Sequence, residues 1–218
     1  MAADALGTAE SVAQAIRNGI KTGQFVPGQH LVEVALTQRL QVSRSSLREA
    51  LRNLHGDGIV SMSRYRGSHI CRLTRKEAAD LLEVLEQLVC LAARRAALFE
   101  GEKTSLMDAA VTASDHQVIR DRQAYLGLRQ AFYDTLFAVS ANHELPRVAP
   151  LGRADLFRAQ IRPYQAADEQ HSHADGYRTI AGAVISGDAA LAEQSVRSHF
   201  AGTHAMIARL PDHAFASD

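Results

Sequence analysis

The chain has 218 residues, 46% of them apolar and 22% charged, enough to bury one large core or two modest ones. No run approaches the roughly 20 apolar residues that a spanning helix needs, and the opening from Met1 to Asn18 lacks the basic-then-apolar order of a secretory signal, so the chain reads as cytoplasmic. The zero net charge conceals an asymmetry: residues 1–75 carry ten Lys/Arg against five Asp/Glu, net +5, and the remainder 14 against 19, net −5. A basic module joined to an acidic one suggests that only the first meets a polyanion.

Val12, Ile16 and Ile20 fall on one face of a helix that starts near Thr8 and stops at Gly23. Pro27-Gly28 marks a turn. Leu31, Leu36 and Leu40 form the next apolar series, which fits a short helix over 33–40. Gln41 and Val42 make a tight connection to Ser43, a suitable N-cap for a third helix carrying Leu47, Leu51 and Leu54 and ending at Gly56 or Gly58. Beyond it, Ile59, Val60, Ile70 and Leu73 bracket the polar tip Arg64-Tyr65-Arg66-Gly67, the pattern of a two-stranded wing.

Three short helices, a tight turn before the third and a trailing hairpin make a winged helix-turn-helix. The expected partner is double-stranded operator DNA. The third helix would bring Ser43, Arg44, Ser45 and Arg48 into the major groove, where an arginine fork matches guanine O6 and N7. Serine hydroxyls and helix N-terminal N–H groups suit phosphate. At the wing, Arg64 and Arg66 add charge and Gly67 lets the backbone approach a sugar–phosphate strand.

From Arg75 onward the pattern is helical throughout, with helices expected near 76–99, 104–118, 121–140, 142–162, 168–186 and 188–209. Gly101, Gly187, Gly202, Pro146, Pro150 and Pro163 punctuate or kink them. The Leu81/Leu82/Leu85/Leu88/Leu91 stripe reads as core or dimer interface. Cys71 and Cys90 lack disulfide or metal spacing and read as small packed hydrophobes. Seven of the ten histidines lie beyond residue 115, yet there is no nucleophile motif, phosphate-cradling glycine loop or HExxH. The chain is therefore not expected to be an enzyme; a helical-bundle enzyme and a dimerisation scaffold are the competing classes, and both leave the basic module unexplained.

Residues 23–60 carry Pro27, Gly28, Leu31, Glu33, Val42, Ser43, Arg44, Arg48, Glu49, Ala50, Leu51, Gly58 and Val60 in a register that closely resembles the GntR superfamily of bacterial regulators. The resemblance implies that Ser43, Arg44, Ser45, Arg48, Arg66 and Gly67 contact DNA. Ser46 stands where this branch usually has proline. Weaker matches at 81–97, Phe132, Asn142, Leu145, 185–188 and 196–200 extend the resemblance to the FadR-like branch, with its FCD-type effector domain. The implied architecture is mainly α: a winged helix-turn-helix over 1–73 and an antiparallel all-helical bundle over 74–218. The implied protein is a homodimeric regulator, read here as a repressor, that senses a small organic acid; the sequence itself does not set the sign of the response.

Many such bundles hold a divalent metal through an Asp, a His four residues on, and two later His. By this resemblance Arg129 takes the Asp position, Tyr133 the first His and Tyr177 the second, leaving His199. A guanidinium has no lone pair to give, and one imidazole cannot hold Zn²⁺ alone, so no metal cofactor is predicted. Arg129, Tyr133, Tyr177 and His199 are instead expected to bind an anionic effector, the arginine gripping its carboxylate by a bidentate pair. Two alternatives stand: Arg129 pairs with a bundle Asp or Glu and the pocket takes a neutral molecule, or a rearranged site built on His173 and His199, with His171 and His204 nearby, still holds metal. Arg158 and Arg162 are second-tier candidates for the same pocket.

Overall fold

The computed structural model describes residues 8–115, 122–165 and 167–217. Contacts divide it into two units: residues up to Leu73 together with Gly152–Arg162, and Thr74–Leu151 together with the chain from Pro163 onward.

In the first unit, Thr8 caps α1 (Ala9–Thr22) by accepting from the Ser11 N–H at 3.2 Å, and Gly23 ends it in the left-handed region. Val12, Ile16 and Ile20 of α1 meet Leu47, Leu51 and Leu54 of α3 (Arg44–Gly56), and all six are at most 3% exposed. Between them lies α2 (Glu33–Leu40), closed by Gln41 at φ 53°, whose N–H returns to the Thr37 carbonyl. That bend delivers Ser43 to the start of α3, where its Oγ accepts from the Ser46 N–H at 3.1 Å.

Three short strands, β1 (His30–Leu31), β2 (Val60–Ser63) and β3 (Gly67–Ile70), pair antiparallel in the order β1-β3-β2. The apolar series puts Leu31 with the second helix; the structure puts it in β1, 3% exposed and in register with Ser68. The cause is backbone pairing: the Gly28 N–H donates to the Ile70 carbonyl and the Ile70 N–H to the Gln29 carbonyl, each at 2.9 Å. Those bonds draw the segment before α2 onto the wing strand.

The second unit holds α4 (Arg75–Leu98), α5 (Thr104–Ala113), α6 (Arg122–Val139) and the single turn α7 (Leu145–Val148). After α8 (Leu151–Ile161), which groups with the first unit, α9 (Ala167–Ile185) and α10 (Ala189–Arg209) complete it. The single helix expected over 142–162 is thus two, because Pro150 removes an N–H and holds Ala149 extended at φ −67°, ψ 121°. The helix expected over 104–118 ends earlier, at Ala113, where Ser114 leaves helical geometry and its N–H closes the last turn on the Ala110 carbonyl; residues 116–118 lie outside the described residues. Thr74 and Glu77 form a reciprocal capping box on α4, and Asp188 caps α10. α4 packs along α10, α9 against both and against α5, and α5 against α6. Leu81, Leu82 and Leu85 are core, whereas Leu88 and Leu91 are half-buried. Arg75, counted above with the basic N-terminal third, hydrogen-bonds the Ile207 and Leu210 carbonyls and Asp212 at the end of α10. Among the described residues, no helix is long and apolar enough to cross a membrane.

α8 is held in the first unit by polar as well as apolar contacts. Its Asp155 pairs with Lys21 of α1 at 3.3 Å, with side chains 6% and 14% exposed. Gln160 bonds both backbone groups of Leu73. Gly152 lies where an added Cβ would come within 3.0 Å of Ile59 Cδ1.

Candidate nucleic-acid interface and effector site

The short α2–α3 turn leaves the first turns of α3 projecting with Ser43, Arg44, Ser45 and Arg48 all exposed. Ser43 Oγ lies 2.8 Å from Ser45 Oγ and 2.9 Å from Ser46 Oγ, so the three hydroxyls cluster at the helix N-terminus. Arg44, Arg48 and Arg52 recur every fourth residue and form one row along the exposed face. Arg52 is absent from the sequence-based set, though the i, i+4 spacing carries the signal. Arg48 Nε donates to Glu33 Oε2 at 3.0 Å, which fixes its direction and neutralises part of its charge. On the wing, Arg64, Tyr65, Arg66 and Gly67 are all exposed, Tyr65 at 92%. Gly67 sits at φ 71°, a conformation that glycine adopts without a Cβ penalty.

In the second unit, α6, α9 and α10 gather Arg129, Tyr133, Tyr177 and His199 into one buried cluster. Their exposures are 2%, 1%, 0% and 8%. Arg129 Cζ lies 5.1 Å over the Tyr133 ring, a cation–π contact that offsets part of the cost of burial. The Tyr133 and Tyr177 rings meet edge-to-face at 6.0 Å, and Tyr177 lies 5.0 Å from His199. Phe132 lies 4.7 Å from Tyr177 and Phe200 lies 5.7 Å from His199.

His173, one turn before Tyr177 on α9, belongs to the same cluster. Its ring stacks on His199 at 4.0 Å, and its Nε2 lies 3.3 Å from the Tyr177 hydroxyl. Gly176 makes this stack possible, because a Cβ there would fall 2.2 Å from His199 Nδ1. No periodicity in the sequence marks that glycine; the need for it arises only where α9 and α10 cross. His204 bonds Glu86 Oε2 at 3.0 Å. Arg158 and Arg162 belong to Gly152–Arg162, outside the unit that holds the cluster.

The donors around Arg129 do not suit the divalent ion that the resemblance would imply. A guanidinium cannot ligate, the phenols of Tyr133 and Tyr177 are weak donors unless ionised, and His173 Nε2 is already engaged with Tyr177. Among the described residues, no group of three or more His, Cys, Asp or Glu side chains is placed to hold a metal ion.

A winged helix-turn-helix that presents an arginine row, joined to a helical bundle with a buried polar cluster, defines a DNA-binding transcriptional regulator. The chain belongs to the GntR family of bacterial regulatory proteins: that family's model matches residues 8–70, and the model of the FCD domain matches residues 79–202. An uncharacterised HTH-type transcriptional regulator in the TAR-I ttuE-ttuC' intergenic region of Agrobacterium vitis is 30% identical over 149 residues, 65% of this chain and 87% of that one. The HTH-type transcriptional repressor GlaR of Escherichia coli K12 is 24% identical over 200 residues, 84% of this chain and 88% of its own. The solved structure of E. coli McbR/YncC shares the fold, with a TM-score of 0.79 at 15% identity over 92% of this chain and 97% of that one. The family and these relatives are transcriptional regulators, not enzymes. GntR regulators bind operator DNA and effectors, and a dimer is typical of the family.

Proposed function

We propose that the protein is a cytoplasmic, homodimeric repressor that releases its operator when a small organic anion occupies the cluster between α6, α9 and α10. The observation that carries this reading is a guanidinium only 2% exposed, set over one tyrosine face and continuous with Tyr177 and His199. A carboxylate matches a guanidinium fork through two parallel charge-assisted hydrogen bonds, and such bonds are stronger in the buried setting of Arg129 than in water. Arg129, Tyr133, Tyr177 and His199 are the effector contacts, and no metal takes part. Ser43, Arg44, Ser45, Arg48, Arg66 and Gly67 are the DNA contacts. The similarity to GlaR, named a repressor, supports the sign. The anion works by binding one arrangement of the two DNA-reading units better than another, since a ligand shifts an equilibrium only by its differential affinity.

The test is a thermal-shift panel of small mono- and dicarboxylates on protein dialysed against EDTA, with operator retention measured beside it. An acid that stabilises the wild type without added metal, fails on Arg129→Ala and releases the operator supports the proposal. Stabilisation that returns only with Zn²⁺ or Ni²⁺ would transfer the site to His173 and His199. A response retained in full by Arg129→Ala would leave Arg129 a structural ion-pair residue.

A further inference from the structure

We infer that His30 and His69 form a two-histidine site for a divalent transition-metal ion at the base of the wing, separate from the bundle cluster. The register makes them direct partners across β1 and β3. Because the Ile70 N–H donates to the Gln29 carbonyl, the next pair along, His30 and His69, is of the non-hydrogen-bonded kind, whose side chains approach most closely. Their ring centroids are 4.7 Å apart.

Both rings lie on the outer face of the sheet. Leu31, Ser68 and Ile70 point inward and are at most 5% exposed, whereas His30 is exposed and His69 half-buried. Ser61, the β2 partner of His69, is exposed and continues the same row across the sheet. The row is seated by Gly67: a Cβ there would fall 2.8 Å from His30 Nε2, so the missing side chain is what lets His30 lie along β3 beside His69.

Two neutral imidazoles, one nitrogen from each, suit Cu²⁺, Ni²⁺ and Zn²⁺, with Cu²⁺ bound most tightly and water filling the remaining positions. The ion would staple β1, which is only two residues long, to the wing strand. It would also set positive charge beside Arg66 and Gly67, where phosphate contacts are proposed.

The experiment titrates EDTA-dialysed full-length protein with CuCl₂ by calorimetry and by electron paramagnetic resonance, for the wild type, His30→Asn, His69→Asn and His173→Asn. The wild type and His173→Asn should each show one Cu²⁺ with two-nitrogen hyperfine structure that the two wing variants lose, with affinity at least about tenfold weaker. Metal should raise the melting temperature of the wild type and not of the wing variants. The same equivalent bound with unchanged affinity by His30→Asn and His69→Asn would overturn the site. Its loss in His173→Asn alone would move the metal to the bundle.

Discussion

Gln160 holds Leu73 by both backbone groups: the Leu73 N–H donates to Oε1 at 2.8 Å, and Nε2 donates to the Leu73 carbonyl at 2.9 Å. The two residues are 87 positions apart, and both are at most 6% exposed. A helix that the chain reaches only after α4 to α7 thereby completes the hydrogen bonding of the last residue of the winged-helix segment.

Gln160→Leu keeps the bulk and strips partners from a buried N–H and a buried C=O. A loss of about 1–3 kcal/mol is expected, since an unmade buried hydrogen bond costs its full desolvation. Urea unfolding followed by circular dichroism checks it, and an unchanged midpoint would show that water replaces the amide.

At the α3 face the expected effects have opposite signs. Arg44→Ala should weaken DNA binding across sequences and lower the slope of log affinity against log salt by about 1, with little change in stability because the side chain is exposed. Glu33→Gln removes a negative charge and releases Arg48 from its 3.0 Å pair, so DNA retention should rise. The pair itself is exposed and worth at most about 1 kcal/mol. Fluorescence anisotropy over a salt series measures both.

Gly176→Ala forces a methyl to within 2.2 Å of His199 Nδ1, so the α9–α10 crossing must open. A cost of about 1–3 kcal/mol follows from overpacking, and effector affinity should fall although Arg129 is untouched. Gly182→Ala is the control on the same helix: nothing lies within 4 Å of its added methyl, and a gain of roughly 0.5–1 kcal/mol is expected. Differential scanning calorimetry of the two variants separates crowding from helix propensity.

Cys90 gives a pH prediction. Burial, opposed by the Arg197 guanidinium and reinforced by Glu86 and Glu193, pushes its thiol from 9.0 up to about 11. The folded state therefore keeps a proton that the unfolded chain releases. The contribution to stability is complete below pH 9 and lost as pH rises toward about 11. Melting temperatures over that window should fall in the wild type and fall less in Cys90→Ala. At pH 7.5, alkylation of Cys90 should be slow beside that of the half-buried Cys71, because the thiolate is the nucleophile.

What the sequence determined by itself was local. The helix start near Thr8, the cap at Ser43, the turn at Gln41 and Val42, the periodic faces of α1 and α3 and the wing hairpin are all legible because each depends on residues a few positions apart. The likeness to a known family then marked Arg129, Tyr133, Tyr177 and His199 as candidates on three separate helices.

The tertiary structure decided whatever needs distant residues to meet. Leu31 pairs in a strand because Gly28 and Gln29 find Ile70, about 40 residues on, and a two-residue strand has no periodicity of its own to reveal it. The break at Pro150 frees α8 to place Asp155 on Lys21 and Gln160 on Leu73. The His173–His199 stack depends on the absence of a side chain at Gly176, and the His30–His69 pair on register and on Gly67. Caps and periodic faces repeat along the chain and can be read from it; register and helix crossings are set by which surfaces pack, and that is specified only when the whole chain folds.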